Sequence, residues 1–490
     1  MITASQLYDL IQCPHRFVLD IHGDQSKRDE PNEFVQLLWE QGIDHEIQIV
    51  NTLGISASMK DVPPNERELA TLEAMKRREP LIYGGRIASD DLIGEPDLLE
   101  LRNDRYIPGD IKSGAGLEGT EDSDGKLKKH YAIQVAHYVH ILEGIGFSDG
   151  SREAFIVDRT GSKVPYVLLE PQGVRNTTTW WDSYADNLAV ARALVADGST
   201  SRGALCGNCK LCHWHSHCKK DLISADDLTL IAELGRAKRD VLAQQIPTVT
   251  ALANTDPNSY VIGKNTVFPS IGPDSLFKFC DRAKLLVTPD AKPYIKKSFT
   301  LPIAGKEVYF DIEADPMRDV VYLHGFIERE HGQPDTAKFI PFFSESPDQH
   351  HEEAAFSDAW QYLTQRAQDS IIYYYSKYER TAYKKLAVKY PAVCSTEDIE
   401  AIFSNSSMID LLYDVVVPCT EWPTYDRSIK TLAQYLGFQW RDTNPSGAAS
   451  IEWYHRWIES QDPSIRKRIL EYNEDDCLAT GIVVDGIRAI

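Results

Sequence analysis

The chain has 490 residues, 42% hydrophobic, 10% aromatic and 26% charged, a globular profile that excludes a disordered chain and suggests about three domains. Its 52 Lys and Arg stand against 73 Asp and Glu, a net charge of −21. That sign excludes a whole-surface electrostatic grip on nucleic acid, while a local basic groove or carboxylate-held metals remain compatible with it. Mean hydropathy is −0.34 and no apolar run reaches the ~18–20 residues that span a bilayer, so no membrane partner is expected. The opening MITASQLYDLIQCPHRF has no basic stretch before an apolar core, so no secretory signal and a cytoplasmic location are expected.

In chain order, residues 1–40 read as helical from near Ser5, and 41–80 continue helical through GIDHEIQIVNTLG. Alternating apolar residues with Gly, Asn and Pro punctuation predict strands in LIYGGRIA, LIGEPDLLELR and RYIPGDIKSG. Residues 115–130 read as a polar loop, and YAIQVAHYVHILEGIG as a helix. EAFIVDRTGSKVPYVLLE predicts a hairpin turning at RTGS, followed by a helix around 173–198. Residues 222–256 read as two short helices and 257–304 as an irregular linker. EVYFDIEA, VVYLHGFIE and SIIYYYSKYE predict strands, with helices from 379 onward.

Three constellations carry chemistry. Asp110 and Lys112 lie two apart on a strand and share a face, where Asp97 can meet them from the neighbouring strand. Two carboxylates suit Mg²⁺, and the lysine can orient water or stabilise charge on a phosphate. Gln134 and Tyr138 share a helix face, and His45 in GIDHE is a further ligand candidate. The order GxxH, EPD, GDIK, QxxxY resembles the RecB-like nucleases of the PD-(D/E)xK superfamily. The resemblance implies a metal centre of His45, Asp97, Asp110, the Ile111 carbonyl and Lys112, with Gln134 and Tyr138 beside it.

Nine cysteines are present, and Cys206, Cys209, Cys212 and Cys218 crowd into C-x2-C-x2-C-x5-C. Such a run points to a metal or cluster rather than a disulfide framework. Four thiolates suit either an iron–sulfur cluster or Zn²⁺. Iron–sulfur members of the RecB-like branch, the CRISPR-associated exonucleases among them, carry one remote N-terminal cysteine and a later C-x2-C-x5-C. The resemblance therefore implies a [4Fe-4S] cluster on Cys13, Cys209, Cys212 and Cys218, stapling the ends of the nuclease domain. Zinc on Cys206, Cys209, Cys212 and Cys218, or recruiting His213, His215 or His217, is the alternative.

LTLIAELGRAKRDVLAQQIPTVTALA resembles a degenerate helix–hairpin–helix. Only Gly235 remains of the usual glycines, and the Glu233 carboxylate would repel a phosphate. A packing or bridging element is expected, with Arg236, Lys238 and Arg239 as candidate DNA contacts.

Asp311 and Glu313 share a strand face in VYFDIEAD, and Tyr472 lies one helical turn before Asp476 in YNEDD. Two such carboxylate sets can hold two metals about 3.5–4 Å apart, with the tyrosine positioning water. With MIDLL, IKTLAQYLGF and YNEDDCLAT, residues 306–490 resemble the tyrosine variant of the DEDD exonucleases of the ribonuclease H-like fold, in the YprB-like branch. One departure stands out: Glu379 occupies the second-motif position where the family has Asp, which puts activity of this centre in question. Asp410 is a compensating carboxylate or a helix cap, and Asp475 a neighbour rather than a ligand.

The expected architecture is α/β: a PD-(D/E)xK restriction-endonuclease-like domain over 1–220, a helical linker over 221–304 and a ribonuclease H-like domain over 305–490. The resemblances imply a DNA nuclease using Mg²⁺ or Mn²⁺ on single strands or duplex ends, in repair, recombination or mobile-element defence. No GxxxxGK[ST] loop is present, so unwinding would need a helicase partner. The alternatives are a nucleic-acid-binding scaffold with silent centres and, further off, a zinc-binding interaction protein.

Overall fold

The computed structural model describes residues 1–31, 33–118, 125–148, 150–173, 175–198, 201–443 and 445–490. Residues 119–124 of the expected polar loop lie outside the described residues. The chain divides into two compact bodies, residues 1–203 with 207–220, and residues 204–206 with 221–490.

The first body opens with α1 (Ala4–Gln12), α2 (Pro14–His22) and α3 (Glu33–Thr52). Pro14 at the first position of α2 is the reason the expected long helix breaks at Cys13. Its larger sheet holds β1 (Ala57–Ser58), β2 (Leu81–Tyr83), β3 (Leu98–Arg102), β4 (Arg105–Ile111), β5 (Glu153–Val157) and β6 (Lys163–Val167), in the order β6-β5-β4-β3-β2-β1. β3 and β4 are antiparallel, β4 and β5 parallel, and β5 and β6 form the expected hairpin. Its later helices include α4 (Lys129–Gly144) and α5 (Trp180–Ala196). One sheet face packs Leu99, Tyr106, Ala154 and Ile156 against α4. The other packs Leu98, Ile107, Ile111 and Phe155 against Ile49, Val50 and Leu53 at the end of α3. Alternation along β4 thus turns Asp110 to the α4 side, away from Ile107 and Ile111.

Three expectations need correction here. The helix through 41–80 stops at Thr52, and β1 follows before a separate helix over Arg67–Lys76. LIYGGRIA is two strands, because Gly84 takes a positive φ of 67°. LIGEPDLLELR is likewise split, with Asp97 in the break just before β3.

In the second body, α6 (Gly235–Leu242) and α7 (Pro273–Val287) precede a five-stranded sheet. α7 corrects the irregular reading of 257–304. Leu276, Phe279, Cys280 and Ala283 are buried at helical spacing, a pattern diluted in sequence by the intervening Lys and Asp. The sheet comprises β7 (Lys306–Asp315), β8 (Val320–Glu330), β9 (Lys338–Phe343), β10 (Ser370–Tyr374) and β11 (Met408–Asp410), in the order β9-β8-β7-β10-β11. β7, β8 and β9 pair antiparallel, and β10 and β11 join parallel. Its helices are α8 (Gln349–Arg366), α9 (Tyr378–Lys389), α10 (Ile429–Tyr435), α11 (Gly447–Ser460) and α12 (Pro463–Arg488). Val308, Phe310 and Ile312 pack with α8 and α9 on one face; Tyr309 packs with α11 and α12 on the other. Asp311 and Glu313 continue the Tyr309 face.

Glu233 has φ 66° and pairs with Lys278 at 2.9 Å and Arg427 at 3.1 Å. Arg427 and Arg282 also bind the buried Glu421. The middle segment is thereby tied to the stretch just ahead of α10 (Ile429–Tyr435) within one body. Among the described residues, no helix is long and apolar enough to cross a membrane.

Candidate active sites

In the first body, β4 ends on Ile111 and carries Asp110, whose carboxylate lies 2.7 Å from Lys112 Nζ. Asp97 reaches across from the start of β3, its Oδ2 accepting the Ile111 N–H at 2.8 Å. Gln134 and Tyr138 sit one turn apart on α4, the Gln134 amide donating to the Tyr138 hydroxyl at 3.3 Å. Burial and then Asp110 and Asp97 raise Tyr138 well above the ordinary phenol range, so both side chains face the carboxylates. Burial, and then repulsion by Asp110, raises Asp97 well above the usual carboxylate range, with Lys112 pulling the other way. Burial works against the Lys112 ammonium, but Asp110 and Asp97 outweigh it and hold its pKa up at about 12. Gln134 Oε1 and His45 Nε2 are buried without a hydrogen-bond partner. These lone pairs and the facing carboxylates fit a hard cation.

The five residues Asp97, Asp110, Lys112, Gln134 and Tyr138 therefore converge, with the Ile111 backbone between the two aspartates. His45 joins no group of three donors within 4.8 Å among the described residues. The α3 side chain whose charge reaches Asp97 is its neighbour Glu46, held by the Tyr83 hydroxyl and Lys60 Nζ, each at 2.8 Å. Sequence reasoning missed Glu46, although it stands beside His45 in GIDHE. Which of two adjacent helical residues faces a sheet depends on the rotation of the helix.

Cys13 caps α2 and lies close enough to Cys212 to affect its thiol. Several contacts tie the N-terminal helices to the cysteine segment. Asn208 donates to Gln12 at 2.6 Å, and His213 and Trp214 both reach Asp20 Oδ1, at 2.7 and 2.8 Å. The Asp29 N–H bonds the His213 carbonyl, and the Ser216 N–H bonds the Asp29 carboxylate. The remote cysteine and the C-x2-C-x5-C run are thus neighbours. Cys206 groups with the second body.

In the second body, Asp311 and Glu313 on β7 and Asp476 on α12 bring their ligand atoms within 4.8 Å of one another. The Asn473 amide donates to Asp311 Oδ2 at 2.7 Å, and the Trp440 indole to Asp476 Oδ1 at 2.6 Å. The Tyr322 hydroxyl faces Glu313 at 3.4 Å. Burial and then mutual repulsion push Asp311 and Glu313 well above the carboxylate range. Burial also raises Asp476, against the pull of Lys430. Glu313 and Asp476 are buried and Asp311 partly so, and three such carboxylates that resist ionising together are a donor set for a divalent cation. Tyr472, one turn before Asp476, accepts from Lys430 Nζ at 2.8 Å.

Glu379, in the first turn of α9, is 3% exposed, and its Oε2 has no hydrogen-bond partner. Burial and then Asp311 raise its pKa, so it faces the triad without joining the 4.8 Å group. Asp410 caps the following turn, its Oδ1 accepting from the Tyr413 and Ser376 N–H groups at 3.0 and 3.2 Å. Asp475 is taken up by Arg441. Sequence reasoning missed Lys430, Trp440 and Asn473. Lys430 lies in the quoted IKTLAQYLGF and Asn473 in YNEDD, but nothing in a single sequence aims them at Asp311 or Tyr472.

Residues 308–487 match the family described as the RNase_H superfamily. These residues form an RNase H-like domain. Such a domain points to a nuclease, a phosphodiester hydrolase that acts on nucleic acid with divalent metals, and the Asp311, Glu313 and Asp476 cluster supplies the acidic donors. No curated protein matches the chain.

Proposed function

We propose that this protein is a cytoplasmic, metal-dependent DNA nuclease with a RecB-like centre on Asp97, Asp110 and Lys112 and a 3′–5′ exonuclease-like centre on Asp311, Glu313 and Asp476. The observation that carries the reading is the convergence of those last three carboxylates within 4.8 Å inside the matched domain. Asp311, Glu313 and Asp476 would hold Mg²⁺ or Mn²⁺ at the second centre, with Glu379 as a further candidate carboxylate. Asp97, Asp110 and the Ile111 carbonyl would do so at the first, with His45 and Glu46 as the α3 candidates. Such a cation supplies Lewis-acid charge and makes water a nucleophile near neutral pH.

The chain's own groups do the rest. With its pKa at about 12, Lys112 is an ammonium at neutral pH, and it donates to a phosphate oxygen rather than removing a proton. Gln134 and Tyr138 fix the α4 side of that centre. Tyr472, a neutral phenol because burial and then Asp476 raise its pKa, orients water at the second centre. Cys13, Cys209, Cys212 and Cys218 take a [4Fe-4S] cluster that staples the ends of the first body. DNA, as single strands or duplex ends, is the substrate, with a helicase or a repair or defence factor as partner.

The test is cleavage of end-labelled single-stranded DNA with Mg²⁺ or Mn²⁺ by anaerobically purified wild type, Lys112→Ala and Asp311→Ala. Loss in one variant assigns activity to that centre, and the label gives direction. A second reading, a DNA-binding scaffold with a silent second centre, is favoured by Glu379 standing where the family has Asp. It predicts DNA binding without metal-dependent cleavage by that centre.

A further inference from the structure

We infer that Lys430 is a positioning residue of the C-terminal centre, a fixed cation that sets the Tyr472 hydroxyl and gathers the carboxylates for a divalent metal. The inference rests on the nuclease reading of that centre and extends it to a residue outside the acidic motif.

Lys430 is the second residue of α10, whose N-terminus is fixed by the Ser428 side chain accepting the Thr431 N–H. Its ammonium is anchored twice, to the Tyr472 hydroxyl at 2.8 Å and to the Pro445 carbonyl at 2.7 Å. It also lies 4.7 Å from the Tyr472 ring centroid and 5.9 Å from that of Trp440, the indole that donates to Asp476. A lysine tied to a backbone carbonyl and packed on two rings is held far more firmly than a surface lysine on its flexible stem.

The placement has two consequences. An ammonium only donates, so the Tyr472 oxygen must accept from Lys430, and its O–H is left to donate. That O–H bonds Asp476 here; were Asp476 to hold a metal, the same O–H would be available to orient water. The second consequence is electrostatic. Lys430 is held against Tyr472 and the Trp440 ring, and the Trp440 indole bonds Asp476, so a fixed positive charge stands one side chain away from that carboxylate and offsets part of the repulsion within the cluster.

The experiment uses the full chain in an Asp97→Asn/Asp110→Asn background, which removes the first centre's carboxylates as well as its cleavage, so that only the second centre is read. Wild type at 430, Lys430→Met, Lys430→Arg, Tyr472→Phe and the Lys430→Met/Tyr472→Phe pair are compared. Mn²⁺ binding without DNA is measured by calorimetry, and kcat and KM on end-labelled single-stranded DNA are measured separately. Lys430→Met is expected to weaken Mn²⁺ binding about tenfold and lower kcat about 10–100-fold, with KM nearly unchanged. Lys430→Arg is expected to recover most of the Mn²⁺ affinity, because it restores the charge, and only part of kcat. The paired substitution is expected to lower kcat scarcely more than Tyr472→Phe alone, the mark of a residue acting through the tyrosine. Thermal unfolding of each variant separates these effects from misfolding.

Wild-type Mn²⁺ affinity and kcat in Lys430→Met would overturn the inference. So would equal losses in Lys430→Met and Lys430→Arg tracking a shared fall in melting temperature, since that pattern means packing alone. If the chain with Lys at 430 neither binds Mn²⁺ nor cleaves, the nuclease reading of this centre falls and the inference with it.

Discussion

Asn473 occupies the space that a side chain at Gly325 would need. Gly325 lies directly across the β7–β8 ladder from Asp311, and the Asn473 amide passes over it to reach Asp311 Oδ2 at 2.7 Å. One turn on, the Cys477 thiol donates to the Gly325 carbonyl at 3.4 Å. A Cβ at Gly325 would overlap Asn473 Oδ1 and crowd the Phe339 ring. The glycine therefore sets how closely α12, the carrier of Tyr472 and Asp476, approaches the strand that carries Asp311. Gly325→Ala is expected to cost about 1–3 kcal/mol of stability and to lower cleavage by the C-terminal centre, read by chemical denaturation and by assay. An unchanged denaturation midpoint would mean that α12 can shift without cost.

The buried carboxylates make metal-free stability depend on pH with a definite sign. Asp311 and Glu313 have folded pKa values well above their unfolded ones, so the folded state binds more protons. Stability therefore falls as pH rises above about 4, the unfolded carboxylate range, and keeps falling until the raised folded values are passed. Asp311→Asn removes one of these charges. In metal-free buffer its melting temperature is expected to exceed the wild-type value by a margin that grows from about pH 5 to pH 8. Mn²⁺ is expected to raise the melting temperature of wild type and to raise that of Asp311→Asn far less, while cleavage by this centre falls by about 100-fold or more. A margin that shrinks as pH rises would refute the assignment.

At the first centre, an ammonium with its pKa at about 12 cannot be the group that loses a proton near neutrality. The pH–rate profile of that centre, isolated in an Asp311→Ala background, is expected to show no limb belonging to Lys112 below about pH 10. Lys112→Arg is expected to keep measurable cleavage while Lys112→Met does not. Equal inactivity of both variants would point to a role that only a primary amine fills.

Asp20 joins the two ends of the first body by accepting from both His213 and Trp214. Trp214 is fully buried, so Asp20→Ala leaves its indole N–H without a partner, a loss of about 1–3 kcal/mol. Hydrogen bonds from His213 and Trp214 outweigh burial and lower the Asp20 pKa. Its contribution is therefore present above the unfolded carboxylate range and lost as pH falls through the folded value. The Asp20→Ala penalty, measured by urea denaturation, is expected to shrink in acid.

Because that clip is independent of the cysteines, the cluster and the fold can be separated. Cys13→Ser is expected to lower iron and acid-labile sulfide per chain while the far-ultraviolet circular dichroism stays near wild type. Cys206→Ser is expected to keep its iron. The reverse result would make Cys206 the fourth ligand.

The local alternation of VYFDIEA, the one-turn spacing of Tyr472 and Asp476 and the two-residue spacing of Asp110 and Lys112 were legible without coordinates, because strand and helix periods fix which neighbours share a face. The proximity of Cys13 to Cys212 was anticipated by resemblance alone. α7 was readable in principle, since its four buried residues keep helical spacing, but its charged residues and the flanking Gly and Pro disguised it.

The sequence by itself determined the chemistry on offer: paired carboxylates on strands, a lysine beside one pair, a tyrosine one turn from an aspartate, and four thiols within reach of a metal or cluster. Only the tertiary structure decided which groups face one another. It turned the Glu46 charge onto Asp97, put Asn473 over Gly325 and placed Lys430 against Tyr472. It also used Asp410 as a cap, leaving Glu379 to face the triad. The physical reason is that periodicity acts over a few residues. Helix rotation, strand register and the approach of α12 to β7 are set by packing between segments well separated along the chain, which no local pattern encodes.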